Sequence, residues 1–286
     1  MATKSAGLAS KLFPKKQVGN KTIRFWNQII LVAIIYFAYE YTSSLASGAK
    51  AQAQSNALKE VAVERFAHIF VEQKIQQFFV QHALWLIKLS DLYYVTVHFV
   101  LPVVVFFVLF LKFPERYLRW RNTMALLNFM ALAVFILFPV MPPRLLPHSF
   151  HFIDTQAVFG GAGTFDATLM KDAGNQYAAM PSLHFAWAIW STLAIVSAVR
   201  SKIIKIMLLA HPIITIFVVI VSANHFFVDV IAGFVDFYLA FLISGGRHLE
   251  FWRVRDQFYD VRALKMRLGS TPKRSPLQER QNYKPR

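Results

Sequence analysis

The sequence predicts an all-α polytopic membrane protein: a six-transmembrane-helix bundle with an amphipathic interfacial helical segment between spans one and two. Three observations lead there. Hydrophobic residues fill 56% of the 286 positions, among them 28 Phe, 6 Trp and 10 Tyr, which is too apolar for an ordinary soluble domain of this length. Six stretches, at about 26–47, 91–112, 123–142, 181–199, 203–222 and 226–246, can each supply the roughly 20 apolar residues that cross hydrocarbon. Lys and Arg, finally, divide unevenly between alternate connections.

In chain order, residues 1–25 form a basic N-terminus. It has no short apolar core followed by a small-residue cleavage site, so the first span reads as retained. A six-span membrane domain follows over 26–246, and a basic tail over 247–286 closes the chain. A drawing with six spans puts 24 of the 31 Lys and Arg on one side: the N-terminus, the turn at 113–122 with Lys112, the turn at 200–202 with Lys205, and the tail. The other side holds seven: Lys50, Lys59, Arg65, Lys74, Lys88, Arg144 and Lys171. Positive charge collects on the cytoplasmic face, so both termini are expected there. The net charge of +16 is therefore a topology signal, and no nucleic-acid partner is expected, because no basic patch is interleaved with aromatics. The absence of cysteine excludes disulfides, thiolate chemistry and Cys-ligated zinc.

The segment 48–90 contains "ALKEVAVERFAHIFVEQKIQQFFVQHALWLIKL", with apolar positions at helical spacing and charges between them. It predicts one or two amphipathic helices, lying at the outer interface or packed as a lid over the bundle. The loop 143–180 is extracytoplasmic in the same drawing. Its glycine run "FGGAGTFDAT" lacks the pattern of a nucleotide cradle and reads as a mobile loop over the site. His148, His151, Asp154, Asp166 and Asp172 in that loop read as solvated.

The chemistry concentrates in two places. "NQYAAMPSLHFAWAIW" (175–190) places Pro181, Ser182 and His184 at the outer end of the fourth span, and "SANHFFVDVIAG" (222–233) opens the sixth. His225 and Asp229 are four apart and share a helix side, so the carboxylate can accept a hydrogen bond from the imidazole. Ionisable groups within a span cost about 2.5–3.5 kcal/mol each, which makes this convergence a functional suspect. The first turn after Pro181, with the Ser182 hydroxyl, offers an anion site. His98, His211 and His248 read as ordinary interfacial or hydrogen-bonded histidines. Asp236 is expected to face the bundle and pair there, and Asn224 to cap the sixth span or touch substrate.

"PSLH" followed by "HFFVD" resembles the motifs of the type 2 phosphatidic acid phosphatase superfamily. The leucine of "PSLH", the "MPPRLLP" at 141–147 and the "NQYAAMPSLH" context look more like its inositolphosphotransferase branch, which includes fungal inositol phosphorylceramide synthases and many bacterial relatives. The resemblance implies catalysis by His225 as nucleophile, Asp229 as its orienter and His184 as general acid, through a phosphohistidine and with no metal or other cofactor. A neutral imidazole is a competent nucleophile near pH 7, which fits those roles. Two departures stand out: the family's K-x6-R-P motif is absent, and Val219 replaces the arginine usually found six residues before the nucleophile. Arg144 is the best substitute for binding phosphate oxygens, since a guanidinium holds two at once. Lys171, Gln176, Asn224 and Ser182 complete the substrate-binding candidates. The expected substrate is a phospholipid or lipid pyrophosphate, with water or another lipid alcohol as acceptor. The membrane is a bacterial plasma membrane or a fungal endomembrane, with the site on the lumenal, periplasmic or exterior face. The alternative is a non-catalytic lipid-binding or lipid-transport protein of the same fold.

Overall fold

The computed structural model describes residues 15–18, 21–31, 33–34, 37, 49–159 and 176–246. Most of the expected first span, the glycine run beyond Phe159, Lys171, His248 and the whole tail lie outside the described residues. One antiparallel hairpin departs from the all-α expectation: β1 (Lys15–Val18) pairs with β2 (Lys21–Arg24), with Lys15 opposite Arg24. The basic N-terminal stretch therefore carries a β-ribbon.

Among the described residues the rest of the regular structure is helical. α1 (Lys50–Phe66) and α2 (Glu72–His82) precede α3 (Leu84–Lys112) and α4 (Pro114–Leu137). The short α5 (Thr155–Phe159) sits in the loop, followed by α6 (Leu183–Ile195), α7 (Lys202–Val221) and α8 (Phe227–Ile243). Among the described residues α3, α4 and α7 are long and apolar enough to cross a membrane, and they mark a membrane protein. α6 and α8 are shorter, about 20 and 26 Å at 1.5 Å per residue; a 3-10 turn, Val196–Ala198, prolongs α6.

Two helix boundaries differ from expectation. α3 begins at Leu84 and not near 91, and the polar residues near position 91 lie inside the protein. Ser90 and Asp91 are buried, and Asp91 Oδ1 accepts from the Thr155 hydroxyl at 2.8 Å. α4 begins at Pro114 and ends at Leu137 in place of 123–142. Proline suits a first helical position, where its missing N–H is no loss. Beyond the helix Val140 leaves for a short parallel bridge to Ala178.

The bundle packs around Trp190 of α6, which is fully buried. Its Nε1 donates to the Trp120 carbonyl of α4 at 2.8 Å, and its ring lies 4.7 Å from Phe106 of α3. Tyr93 of α3 bonds both His211 and Thr215 of α7, and Thr192 of α6 donates to the Leu208 carbonyl. His211 thus has the structural part expected of it. On the outer side of α7, Ile203, Ile206, Met207 and Ile213 are each about two-thirds exposed or more, a surface suited to lipid and costly in water.

α1 and α2 cover the end of the bundle that carries the histidines. Asn56 Nδ2 donates to the Pro139 carbonyl, the Met141 amide to the Ala53 carbonyl, and the buried Gln76 bridges Ile153 and Val221. The inward face of α1 is not the apolar stripe its pattern suggests. Ala53, Ala57 and Val61 share it with Asn56, Glu60 and Glu64, while Val63 and Phe66 point outward. The glutamates are inside because the start of α8 needs them, as described below.

Candidate active site

α7 ends in a left-handed turn that sets up the second histidine. Ala223 has φ +53°; its amide donates to Ile220 and the Asn224 amide to Val219, the paired bonds of a Schellman stop. An alanine in that conformation costs about 1 kcal/mol against glycine. The Arg144 amide, donating to the Ala223 carbonyl at 2.9 Å, helps hold it. The His225 amide also reaches the Val219 carbonyl, at 3.2 Å. α8 starts two residues later. Its Asp229 is the third helical residue and accepts from the Phe226 amide through Oδ2 at 2.8 Å, so one carboxylate both starts the helix and faces His225.

His225 and Asp229 are 4% and 0% exposed, and His225 Nδ1 lies 3.4 Å from Asp229 Oδ2. That separation fits an ion pair once the ring is protonated, and a modest closure makes it a hydrogen bond; catalytic contacts are commonly long before substrate arrives. His184 enters from the second position of α6. Its ring centroid is 5.7 Å from that of His225, at an interplanar angle of 58°. His184 Nε2 has no hydrogen-bond partner in this buried setting, so the nitrogen stands ready for one.

The approach of α6 to α8 depends on Gly233. A β-carbon there would stand 2.5 Å from the Ser182 carbonyl oxygen. The Ser182 amide donates to the Asp229 carbonyl at 3.0 Å, which stitches the two helix starts together. Ser182 itself is fully buried and its hydroxyl accepts from the Phe185 amide, so it caps α6.

Other sequence-selected residues fall in different places. Arg144 is brought to the site through Asn224, the neighbour of His225: its Nε donates to Asn224 Oδ1 at 2.9 Å. A second guanidinium nitrogen pairs with Asp154 Oδ2 at 3.0 Å, so Asp154 is an ion-pair partner and not a solvated loop residue. Gln176 is part-buried beside Tyr177, whose carbonyl accepts from Val140. Asp236 is buried as expected, but its Oδ2 lacks a hydrogen-bond partner. Lys171 lies outside the described residues.

Sequence reasoning missed His98. It is buried in α3 and stacks on His184 at 3.8 Å and 26°, with Tyr94 on His184 at 4.0 Å and Trp187 on His98 at 4.7 Å. The signal was present, since His98 is an ionisable residue in the middle of an apolar span. An apolar groove of about 630 Å³ is lined by Ile69, Val71, Phe185, Phe227, Val230 and Phe234 among others, without His184, His225 or Asp229 in its lining. Phe185 follows His184 directly, and Val230 follows Asp229.

Two histidines and a carboxylate converging on one buried gap, on these two motifs, agree with a family comparison that matches residues 60–243. The chain belongs to the PAP2 superfamily. Members of the PAP2 superfamily are phosphatases and phosphotransferases, which makes this chain a lipid enzyme of that kind. The match begins at Glu60 in the covering helix and runs through α8, so the PAP2 unit includes the cover as well as the bundle. No curated protein and no solved structure matches the chain significantly.

Proposed function

We propose that this protein cleaves a membrane lipid phosphoester or pyrophosphate through a phosphohistidine on His225, and passes the phosphoryl-containing group to an acceptor alcohol or to water. The observation that carries the reading is the 5.7 Å approach of the His184 and His225 rings, with Asp229 behind only the second. Asp229 near Nδ1 leaves Nε2 of His225 to attack phosphorus. The carboxylate then stabilises the imidazolium character that develops. His184 donates a proton to the departing oxygen, and in the second half-reaction takes one from the acceptor before the P–N bond breaks. Arg144, anchored on Asn224, takes the part of the absent basic motif toward phosphate oxygens. The apolar groove against Phe185 and Val230 suits a hydrocarbon tail. The sequence context of "PSLH" and "MPPRLLP" favours transfer of an inositol-phosphate-type headgroup over hydrolysis, without a metal.

This reading carries the six-span arrangement with it, both termini cytoplasmic and the histidines at the outer face, on the division of Lys and Arg. The test is to incubate purified protein with labelled phospholipids and lipid pyrophosphates, with and without ceramide or diacylglycerol. A new phospholipid signals transfer; hydrolysis is signalled by free phosphate from a monoester or pyrophosphate, or by a water-soluble headgroup phosphate from a diester. Binding without turnover across the panel would favour a lipid carrier instead. With a substrate in hand, Arg144→Ala should raise KM about 10-fold or more, and Arg144→Lys should restore little of it, because an ammonium lacks the planar fork of donors that grips phosphate oxygens side by side.

A further inference from the structure

Carboxyl groups that the mechanism leaves unused roof the start of α8. Glu60 and Glu64 of α1 and Glu72 of α2 are 4%, 0% and 0% exposed. Glu64 Oε1 accepts from the Val228 amide at 2.8 Å and Glu72 Oε1 from the Phe227 amide at 3.1 Å. With Asp229 Oδ2 on the Phe226 amide, three successive amides of this helix start each find a carboxyl oxygen, supplied by three different helices.

Glu60 bonds no amide. It lies against Asp229, and both its oxygens lack a hydrogen-bond partner, as does Asp229 Oδ1. The cations of α1 are turned elsewhere: Lys59 Nζ donates to Asn56 Oδ1, and Arg65 lies over the rings of Phe70 and Phe150. Glu64 on the same helix, Glu72 on α2, Asp229 on α8 and His225 before it are the titratable groups around this spot. Two bare carboxylates do not stay together in a buried site without a cation. Burial first, then the Asp229 charge, push the Glu60 carboxyl up to about 11; burial and then Glu72 hold that of Glu64 at about 9.

We propose that Glu60 is a positioning residue for the nucleophile. As a neutral carboxylic acid it stands behind Asp229 and donates to Oδ1, the oxygen that His225 does not face. Glu64 and Glu72 meanwhile fix the turn of α8 from which Asp229 projects. The chain of contacts then runs Glu60, Asp229, His225, and the covering helices become part of the machinery that aims the imidazole.

The kinetic arm of the test rests on the proposed function; the stability arm does not. Glu60→Ala should lower kcat about 10-fold or more, with KM within about two-fold, a split typical of lost positioning. It should also move the acid limb of the kcat/KM profile to higher pH by about half a unit, because a carboxylate without its donor holds the imidazolium proton more tightly. Glu60→Gln, a neutral donor of the same shape, should rescue most of the kcat and return the limb. For stability, folded Glu60 keeps a proton that the unfolded chain releases above its ordinary value of 4.5. The native state therefore binds more protons, and stability falls as pH rises from about 5 toward about 11. Glu60→Gln removes that slope, so its melting temperature should exceed the wild type's at pH 8 by about 3 °C and match it near pH 4.

Glu60→Ala with an unchanged kcat and acid limb would overturn the proposal, as would a Glu60→Gln no better than Glu60→Ala. A Glu60→Gln that melts no higher than wild type at pH 8 would do the same. If wild type turns over nothing while the pH 8 gain is present, the catalytic reading fails and the neutral Glu60 stands.

Discussion

His225→Ala is expected to leave neither measurable turnover nor a phosphoenzyme. No other side chain in the described gap can take its place: Asp229 faces only the Nδ1 side of the ring, and His184 stands 5.7 Å away between Tyr94 and His98. His184→Ala should behave differently, because a general acid contributes about 10²–10⁴-fold and not the bond itself. With an ordinary lipid leaving group its rate falls by that factor. With a nitrophenyl phosphoester, whose leaving group departs without a proton, the burst of phosphohistidine should return. The measurement is a rapid-quench time course of acid-labile phosphate on the protein, run on both variants. A phosphoenzyme on His225→Ala would show that the nucleophile is elsewhere.

The second large effect comes from a residue with no reactive group. Gly233→Ala places a methyl 2.5 Å from the Ser182 carbonyl oxygen and 3.3 Å from its carbon, both main-chain atoms that no rotamer change can move aside. α6 and α8 must then separate at the point where Ser182 bonds the Asp229 carbonyl. His184 is two residues from one side of that contact and Asp229 four from the other. A misplacement of about 1 Å can cost 10²-fold in rate. Turnover should drop by about that factor while circular dichroism keeps its helical signal. Wild-type rates in Gly233→Ala would mean that the two helices need not touch there.

The three principal site residues were legible because each motif is local. Histidine and aspartate four apart share a helix side whatever surrounds them, and Pro181–Ser182 announces the start of a helix. What was not legible came from partners far away in sequence. Glu60 and Glu64 look like the outward charges of an amphipathic helix, yet Glu64's acceptor role belongs to the amide of Val228, which no periodicity reveals. His98 gained its place from rings on α6. The early start of α3 escaped hydropathy because Ser90 and Asp91 are buried within the protein, where one oxygen of Asp91 accepts from Thr155. The β-ribbon had a readable cue, Gly19–Asn20 between two short β-compatible runs, which the charge of the segment obscured.

The bond from the His225 amide to the Val219 carbonyl hangs His225 from the last turn of α7. That helix has 20 residues, about 30 Å of rise, which equals the thickness of a typical bilayer's hydrocarbon layer. α7 therefore works as a ruler. In the proposed arrangement, with its basic end at one boundary of the oil, its far end would carry the imidazole to the opposite boundary, the level at which a phospholipid carries its phosphorus.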